Sequence, residues 1–220
     1  MKLDMHIHSR YSRDAKASPK EIAAECKRVG LDGFAIADHN VIQGSLDAVS
    51  VSAETGLLVV RAVEVSAEEG HVLAYGVREL VPKGLPVAET IDKIHAAGGL
   101  AVAAHPKRFP SGMGIEAARA GKFDAIEVLN GNNSGRSNGM ARRVAEERKL
   151  PKTGGSDSHE LESIGRAFTV IDGASTEDQV LDAILKNRAT VGGRSRSMGE
   201  GARYSWEVFL AWARGDFRRL

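Results

Sequence analysis

Cysteine is nearly absent from this chain of 220 residues. Cys26 stands alone, so neither an internal disulfide nor a thiolate zinc finger can form. Aromatic residues make up only 5% of the chain, too few for an extended surface on which nucleic-acid bases could stack. No excess of charge of one sign exists either. Lysine plus arginine (30) nearly cancels aspartate plus glutamate (29), which argues against a chain built mainly to coat nucleic acid or an anionic membrane. No run of about 18 apolar residues is present for a membrane span. The opening Met1-Lys2-Leu3-Asp4-Met5-His6 lacks the apolar stretch of a signal peptide. There is no fixed-period repeat and no low-complexity block. Hydrophobic residues at 42% and charged residues at 27% can build a sizeable core, and the length suits a single domain over residues 1–220. These features lead us to expect a soluble, cytoplasmic globular protein.

Short apolar runs alternate with amphipathic stretches. Leu3 to Ile7 reads as a strand. Pro19 to Val29 reads as a helix, with Ser18 as N-cap, Pro19 at N1, Glu21 at N3 and Gly30 as its stop. Gly33 to Ala37 forms the next strand, and Leu57 to Val63 a third apolar run, continued by Val72 to Tyr75. A helix from about Ala88 to Ala97 ends at Gly98-Gly99, before a buried strand Leu100 to Ala104. Ala125 to Leu129, Pro151 to Gly154 and Ala167 to Ile171 supply further strands. Ser175 or Thr176 caps a late helix reaching Asn187, and Thr190-Val191 is a short last strand. Strands apolar on both faces and separated by helices predict an α/β fold with a mostly parallel sheet. Because a complete eightfold barrel takes roughly 250 residues, a distorted TIM-like (βα)7 barrel is expected. The glycine- and arginine-rich residues 192–201 read as a flexible loop. Beyond them, Trp206, Phe209, Leu210, Ala213 and Phe217 fall at helical spacing, predicting an amphipathic helix over 203–217. Arg218 and Arg219 would sit at the negative end of its dipole.

The histidines carry the functional signal. Of seven, six (His6, His8, His39, His71, His105 and His159) lie at or just beyond the ends of strand runs. In a parallel barrel those ends open on one face, where active sites are built. His95 sits inside a helical pattern and reads as an ordinary surface or core histidine. His6 and His8, two apart on a strand, point to the same side and can reach one cation. Asp14 follows in the next loop, Asp38 and His39 follow the second strand, and Glu64 the third. Asp157 and His159 repeat the spacing of His6 and His8. Four acids and six histidines are too many for a single zinc-like ion, which takes three or four protein ligands. The set fits two or three ions close together.

These elements, His6-Ile7-His8-Ser9 through Asp14, Asp38-His39-Asn40, Glu64, His71, Ala104-His105-Pro106 and Ser156-Asp157-Ser158-His159, resemble the polymerase-and-histidinol-phosphatase (PHP) superfamily. The resemblance spans Met1 to about Ile171. It implies a distorted seven-stranded barrel with a trinuclear metal site that hydrolyses phosphate esters. Residue by residue, it implies that His6, His8, Glu64 and Asp157 hold one ion. Glu64 would bridge to a second, held also by His71 and His105, and Asp14, His39 and His159 would hold the third. Asp38 would orient a ligand from behind. Two departures stand out. Ala37 replaces the threonine that many members carry before the Asp-His pair. Only 33 residues separate His71 from His105, so the large insertion of one nucleotide-phosphatase branch is absent.

The chemistry expected from the residues agrees with that resemblance. Clustered divalent ions lower the pKa of a bound water to give hydroxide and clamp the oxygens of an in-line displacement at phosphorus. Mixed imidazole and carboxylate donors suit zinc, manganese or iron. The substrate expected is a small phosphorylated compound: a nucleotide, a short oligonucleotide, or a sugar or amino-alcohol phosphate, with no membrane and no long nucleic acid as partner. Lys107, Arg108, Arg136, Arg166 and Arg10 are the candidate phosphate anchors. No serine elbow, phosphate-cradling glycine loop or reactive cysteine competes, and Cys26 reads as a small buried hydrophobe. Two other readings stand beside this one. An amidohydrolase-like C–N hydrolase also uses His-x-His on a first strand but commonly bridges its metals with a lysine, where this chain has Glu64. A non-catalytic interaction module would have eroded ligands, and none of the matching positions is eroded.

Overall fold

The computed structural model describes residues 1–108, 110–197 and 199–201; the helix expected over 203–217 lies outside the described residues. Ten strands and six α-helices follow one another as β1 (Lys2–Ile7), α1 (Pro19–Arg28), β2 (Gly33–Ile36), α2 (Gln43–Thr55), β3 (Leu58–Val59), β4 (Ala62–Ser66), β5 (His71–Tyr75), α3 (Val87–Ala96), β6 (Leu100–Ala103), α4 (Ile115–Ala120), β7 (Ala125–Asn130), α5 (Gly135–Arg148), β8 (Lys152–Gly155), β9 (Ala167–Val170), α6 (Glu177–Leu185) and β10 (Thr190–Gly193). A single 3₁₀ turn covers Leu161–Ser163. The start of α1 carries the expected capping box: the Ser18 hydroxyl accepts from the Glu21 amide, and the Glu21 carboxylate accepts from the Ser18 amide at 2.8 Å.

The fold is mixed α/β, as expected, but the distorted TIM-like (βα)7 barrel with a mostly parallel sheet does not form as one closed sheet. Two five-stranded sheets form, ordered β10-β9-β1-β2-β3 and β4-β5-β6-β7-β8, and neither closes on itself. β1–β2, β2–β3, β6–β7 and β7–β8 pair in parallel. β4–β5, β5–β6, β1–β9 and β9–β10 are antiparallel. The cause is local. Between Ser66 and His71 the chain turns within four residues, the Ala67 amide bonding the Gly70 carbonyl at 2.9 Å, so no crossover helix separates β4 from β5. The apolar run Leu57 to Val63 splits where the Arg61 amide and guanidinium both bind Glu177 at the start of α6, sending β3 to one sheet and β4 to the other.

Where the sheets approach, isolated bridges join them, Ile7 to Ser158 and His39 to Glu64, and Gly154 of β8 bonds the Thr169 hydroxyl of β9 at 2.9 Å. Both bridges lie where β1, β2 and β8 end, among the residues singled out above. Between the sheets lies one apolar cluster, including Leu3, Met5, Leu73, Tyr75 and Val102, with Val180 and Ile184 of α6 closing it. The buried Tyr75 hydroxyl donates to the Met5 carbonyl at 2.9 Å, tying one sheet to the other. A second cluster packs α3, α4 and α5 on the outer face of one sheet, and a third packs α1 and α2, with Cys26, on the other. Burial pushes the Cys26 thiol far up, consistent with its reading as an inert hydrophobe.

The loop expected over 192–201 is also revised. Gly192 and Gly193 belong to β10, paired with Phe168 and Ala167, and residues 199–201 are helical. A Cβ on Gly192 would strike the Phe168 ring, and one on Gly193 the backbone of Arg166, so these glycines permit close strand packing. No helix among the described residues is long and apolar enough to cross a membrane. Replacing Ser18 with Ala removes the cap that joins α1 to the loop after β1. The expected outcome is a loss of about 1 kcal/mol in unfolding free energy, read from urea denaturation with an unchanged m-value.

Candidate metal centre

All six strand-end histidines and all four acids converge at the ends of the strands, most of them deeply buried. β1 sets the first pair: the Nε2 atoms of His6 and His8 lie 3.2 Å apart. Gly155, on the neighbouring β8, makes this packing possible, because a Cβ there would press on the His6 backbone. Glu64 stands at the centre. Its Oε1 lies 2.9 Å from His71 Nδ1 and 2.7 Å from His105 Nε2. Its Oε2 lies 2.9 Å from His39 Nδ1, 3.4 Å from His8 Nε2 and 3.5 Å from His6 Nε2. One carboxylate thus turns an oxygen to each of two imidazole groups.

Asp157 Oδ1 lies 3.4 Å from His8 Nε2 and 3.9 Å from His6 Nε2. Asp14, reaching in from the loop after β1, lies 3.0 Å from His159 Nε2 and 3.6 Å from His39 Nε2. Among the described residues, four sets of donors could each hold an ion: His6, His8 and Asp157; His6, Glu64 and His105; His39, Glu64 and His71; His8, His39 and His159. The backbone is strained at two of these residues, His105 at φ 25° and Asp157 at φ 54°, conformations that non-glycine residues hold only when their surroundings demand it.

Residues behind these donors fix their orientation. Asp38 accepts from the Ser9 amide at 2.7 Å and the Ser12 hydroxyl at 2.9 Å. The Ser12 oxygen in turn lies 3.1 Å from His8 Nδ1, so Asp38 acts on His8 through Ser12, and His8 Nε2 faces inward. The carboxylate missed in the sequence is Glu127 of β7. It lies 2.9 Å from His6 Nδ1, accepts from the His105 amide at 2.8 Å and from the Asn130 amide at 3.0 Å. Its signal was present: one acid in the otherwise apolar run Ala125-Ile126-Glu127-Val128-Leu129. Asn130 also donates to Asp157 Oδ2 at 3.1 Å. Buried Asp4, equally unflagged, accepts from the amides of Ser156 and Gly165, each at 2.8 Å, and so ties β1 to the chain around Asp157; burial raises its pKa to about 6.

The electrostatics are unbalanced without a cation. Burial opposes charge on His6, yet Glu127 and Glu64 raise its pKa to about 10; His39 is raised to about 10 against burial by Glu64 and Asp14. Burial lowers His105 to about 4, and burial with neighbouring His159 and His39 holds His8 well below its usual range. The rings crowd together, His8 lying 4.3 Å from His159 and 4.4 Å from His39 by centroid. Glu64 Oε2 and His39 Nδ1 are buried, 2.9 Å apart, and neither has a hydrogen-bond partner. Two buried donors aimed together without a proton aligned between them suit a divalent ion. The residues present fit such ions.

The candidate phosphate anchors scatter around this centre. Arg108 binds Asp157 Oδ2 directly. Arg166 pairs with Glu200 at 3.3 Å, and Arg10 lies over the Tyr11 ring. Lys107 and Arg136 are exposed in the loop after β6 and the first turn of α5. His95 is remote from the centre, paired with Asp124 at 2.8 Å on α3.

Residues 4–147 match the sequence profile of the PHP domain, and residues 135–189 a profile described as PHP-associated. The chain belongs to the PHP domain family. An uncharacterized protein of Methanocaldococcus jannaschii is 38% identical over 116 residues, covering 48% of this chain and 68% of that one. Among solved structures, a two-domain protein of Bacteroides vulgatus described as containing a predicted PHP-like metal-dependent phosphoesterase superposes with a TM-score of 0.74 at 18% identity, over 88% of this chain and 65% of that one. This chain therefore spans less than two thirds of that protein. A lesion-specific endonuclease of Pyrococcus furiosus superposes with a TM-score of 0.66 at 17% identity, over 93% of this chain and 66% of that one. The fold is that of the PHP-like metal-dependent phosphoesterases.

Because Glu127 holds both His6 and the His105 backbone, Glu127→Gln is expected to weaken metal affinity about 10- to 100-fold while leaving the fold intact. Titration of the metal-free protein with manganese, followed by circular dichroism, checks this. His95→Ala is expected to leave metal content and activity near wild type, whereas His8→Ala abolishes both.

Proposed function

We propose that this chain is a metal-dependent phosphoesterase that cleaves a small phosphorylated compound: a nucleotide, a short oligonucleotide, or a sugar or amino-alcohol phosphate. The observation that carries this reading is the division of Glu64, one oxygen facing His71 and His105, the other His6, His8 and His39. Such sharing by a carboxylate suits bridging between adjacent ions. His6, His8, Glu64 and Asp157 would hold one divalent ion, Glu64, His71 and His105 a second, and Asp14, His39 and His159 a third. The donor set suits zinc, manganese or iron. Ions bound there would supply Lewis acidity, lowering the pKa of a coordinated water and neutralising charge on phosphate oxygens.

The chain's own residues do the rest. Glu127 holds His6 by Nδ1, and the Asp38–Ser12 pair holds His8, so that both rings keep Nε2 toward the centre. Arg108, already on Asp157, is the guanidinium best situated to meet a phosphate oxygen at the cluster. A net charge of +1 and few aromatic residues favour a small substrate over long nucleic acid.

A turnover screen with a panel of phosphorylated metabolites, mononucleotides and single-stranded DNA, with manganese or zinc restored, tests the reading. Hydrolysis of a small phosphate ester that stops on chelation is expected, with metal analysis giving more than one equivalent per chain. Full activity with one equivalent or fewer overturns the shared-carboxylate reading. Arg108→Ala is expected to raise KM about tenfold or more with metal content unchanged, the loss of a charge-assisted contact.

A further inference from the structure

We infer that Asn40 is a positioning residue, whose side-chain amide clamps Ser66 across the seam between the two sheets and so sets His39 against Glu64 and His71. This rests on the reading of the cluster as a centre for divalent ions, and it gives a role to the last member of the Asp38-His39-Asn40 motif.

His39 follows β2 and Glu64 lies on β4, strands of different sheets, so no continuous ladder sets their spacing. They meet in an isolated parallel bridge. The Glu64 amide bonds the Asp38 carbonyl at 3.2 Å, and the Asn40 amide bonds the Glu64 carbonyl at 2.9 Å. The Asn40 side chain extends this contact by one more residue of β4. Its Oδ1 accepts from the Ser66 amide at 2.8 Å, and its Nδ2 donates to the Ser66 hydroxyl oxygen at 2.9 Å. Because a backbone amide can only donate, Ser66 fixes which way the asparagine amide faces. Ser66 in turn stands opposite His71 in the β4–β5 ladder. One side chain therefore ties the main chain after His39 to the residue paired with His71.

His39 needs a hold of this kind. His6 is held from behind by Glu127 and His8 by Ser12, each through Nδ1, which leaves Nε2 to face inward. His39 instead turns both ring nitrogens toward acids of the cluster, Nδ1 2.9 Å from Glu64 Oε2 and Nε2 3.6 Å from Asp14 Oδ2. A ring used at both nitrogens has none left for an outer anchor, so its place must be set through the main chain. The His39 amide donates to the Ser12 hydroxyl at 3.1 Å, and Asn40 secures the residue that follows. The backbone of Asn40 is left-handed, at φ 55°. Glycine takes that conformation readily, and asparagine is one of the few other residues that does. Glycine would supply the turn alone, whereas asparagine supplies the turn and the clamp. The donors His39, Glu64 and His71, whose ligand atoms lie within 4.8 Å of one another, thus come from three stretches of chain that Asn40 joins.

Calorimetric titration of the metal-free protein with manganese alone tests this without turnover. Asn40→Gly keeps a residue suited to the left-handed backbone and removes the clamp. Ser66→Ala leaves Asn40 in place and removes one of the two side-chain bonds. Wild type is expected to take more than one equivalent. Asn40→Gly is expected to keep one equivalent at wild-type affinity, on the side of His6, His8 and Asp157, and to weaken the rest about 10- to 100-fold. Ser66→Ala should weaken the same equivalents by less, and should add nothing to Asn40→Gly, because the two residues act through one contact. Ser18→Ala, which loses a helix cap away from the cluster, is the control for stability alone and should bind manganese as wild type does. Unchanged binding in both clamp variants overturns the inference, and so do additive losses in the double variant. Equal weakening of every equivalent, or a matching loss in Ser18→Ala, overturns it as well, since either marks a general loosening of the fold. Wild type that binds a single equivalent overturns the shared-carboxylate reading instead. The clamp is then judged on that ion: about tenfold weaker binding in Asn40→Gly supports it, and unchanged binding overturns it. Wild type that binds no manganese overturns both.

Discussion

Everything at the working face depends on one buried carboxylate. Glu64 is fully enclosed and lies within 3.5 Å of five imidazoles drawn from four stretches of chain. An enclosed carboxylate is costly unless compensated. His6 and His39, with pKa values raised to about 10, supply part of that compensation, while burial drives His8 and His105 toward the neutral form. Divalent cations bound there would meet both demands, balancing the acids and using the neutral nitrogens.

The scaffold serves that constraint through short-range means. The antiparallel hairpin β4–β5 sets Glu64 and His71 on adjoining strands, something a parallel pair joined by a long crossover would not do within eight residues. The strained backbones of His105 and Asp157 aim side chains inward from the ends of their strands. Behind them, Glu127, Ser12 and Asn130 hold rings and carboxylates by single hydrogen bonds. The cost is a core in which polar groups displace apolar packing along one end of both sheets.

Much of this was legible in the sequence, because the signals were local. Strand-end histidines two residues apart, the capping box at Ser18 and Glu21, and the apolar runs of β1, β6, β7 and β9 each depend on a few neighbouring residues. What was not legible depends on partners far along the chain. The break between β3 and β4 is set by Glu177, over a hundred residues beyond Arg61. Antiparallel pairing at β5 could not be separated from a parallel arrangement by periodicity, since both read as buried apolar runs. Glu127 lies mid-strand, away from the strand ends where the histidines gather, and its bonds to His6 and His105 join residues far apart in the chain. Gly192 and Gly193 look in sequence like a flexible stretch, yet they serve contact with Phe168 and Arg166, a difference visible only once β9 and β10 are paired.

The placement of the donors on the two sheets has a mechanical consequence. His6 lies on β1 and His8 and His39 follow strands of the same sheet, whereas Glu64 and His71 lie on, and His105 and Asp157 follow, strands of the other. An ion held by both groups would add a crosslink to a seam already joined by the His8 amide to the Ser158 carbonyl at 2.8 Å and the Asp157 amide to the His6 carbonyl at 2.7 Å. Its affinity and the cohesion of the two halves would then be linked through mass action. Removing such ions would weaken that end of the seam, while the apolar cluster between the sheets and the Tyr75–Met5 hydrogen bond keep them together.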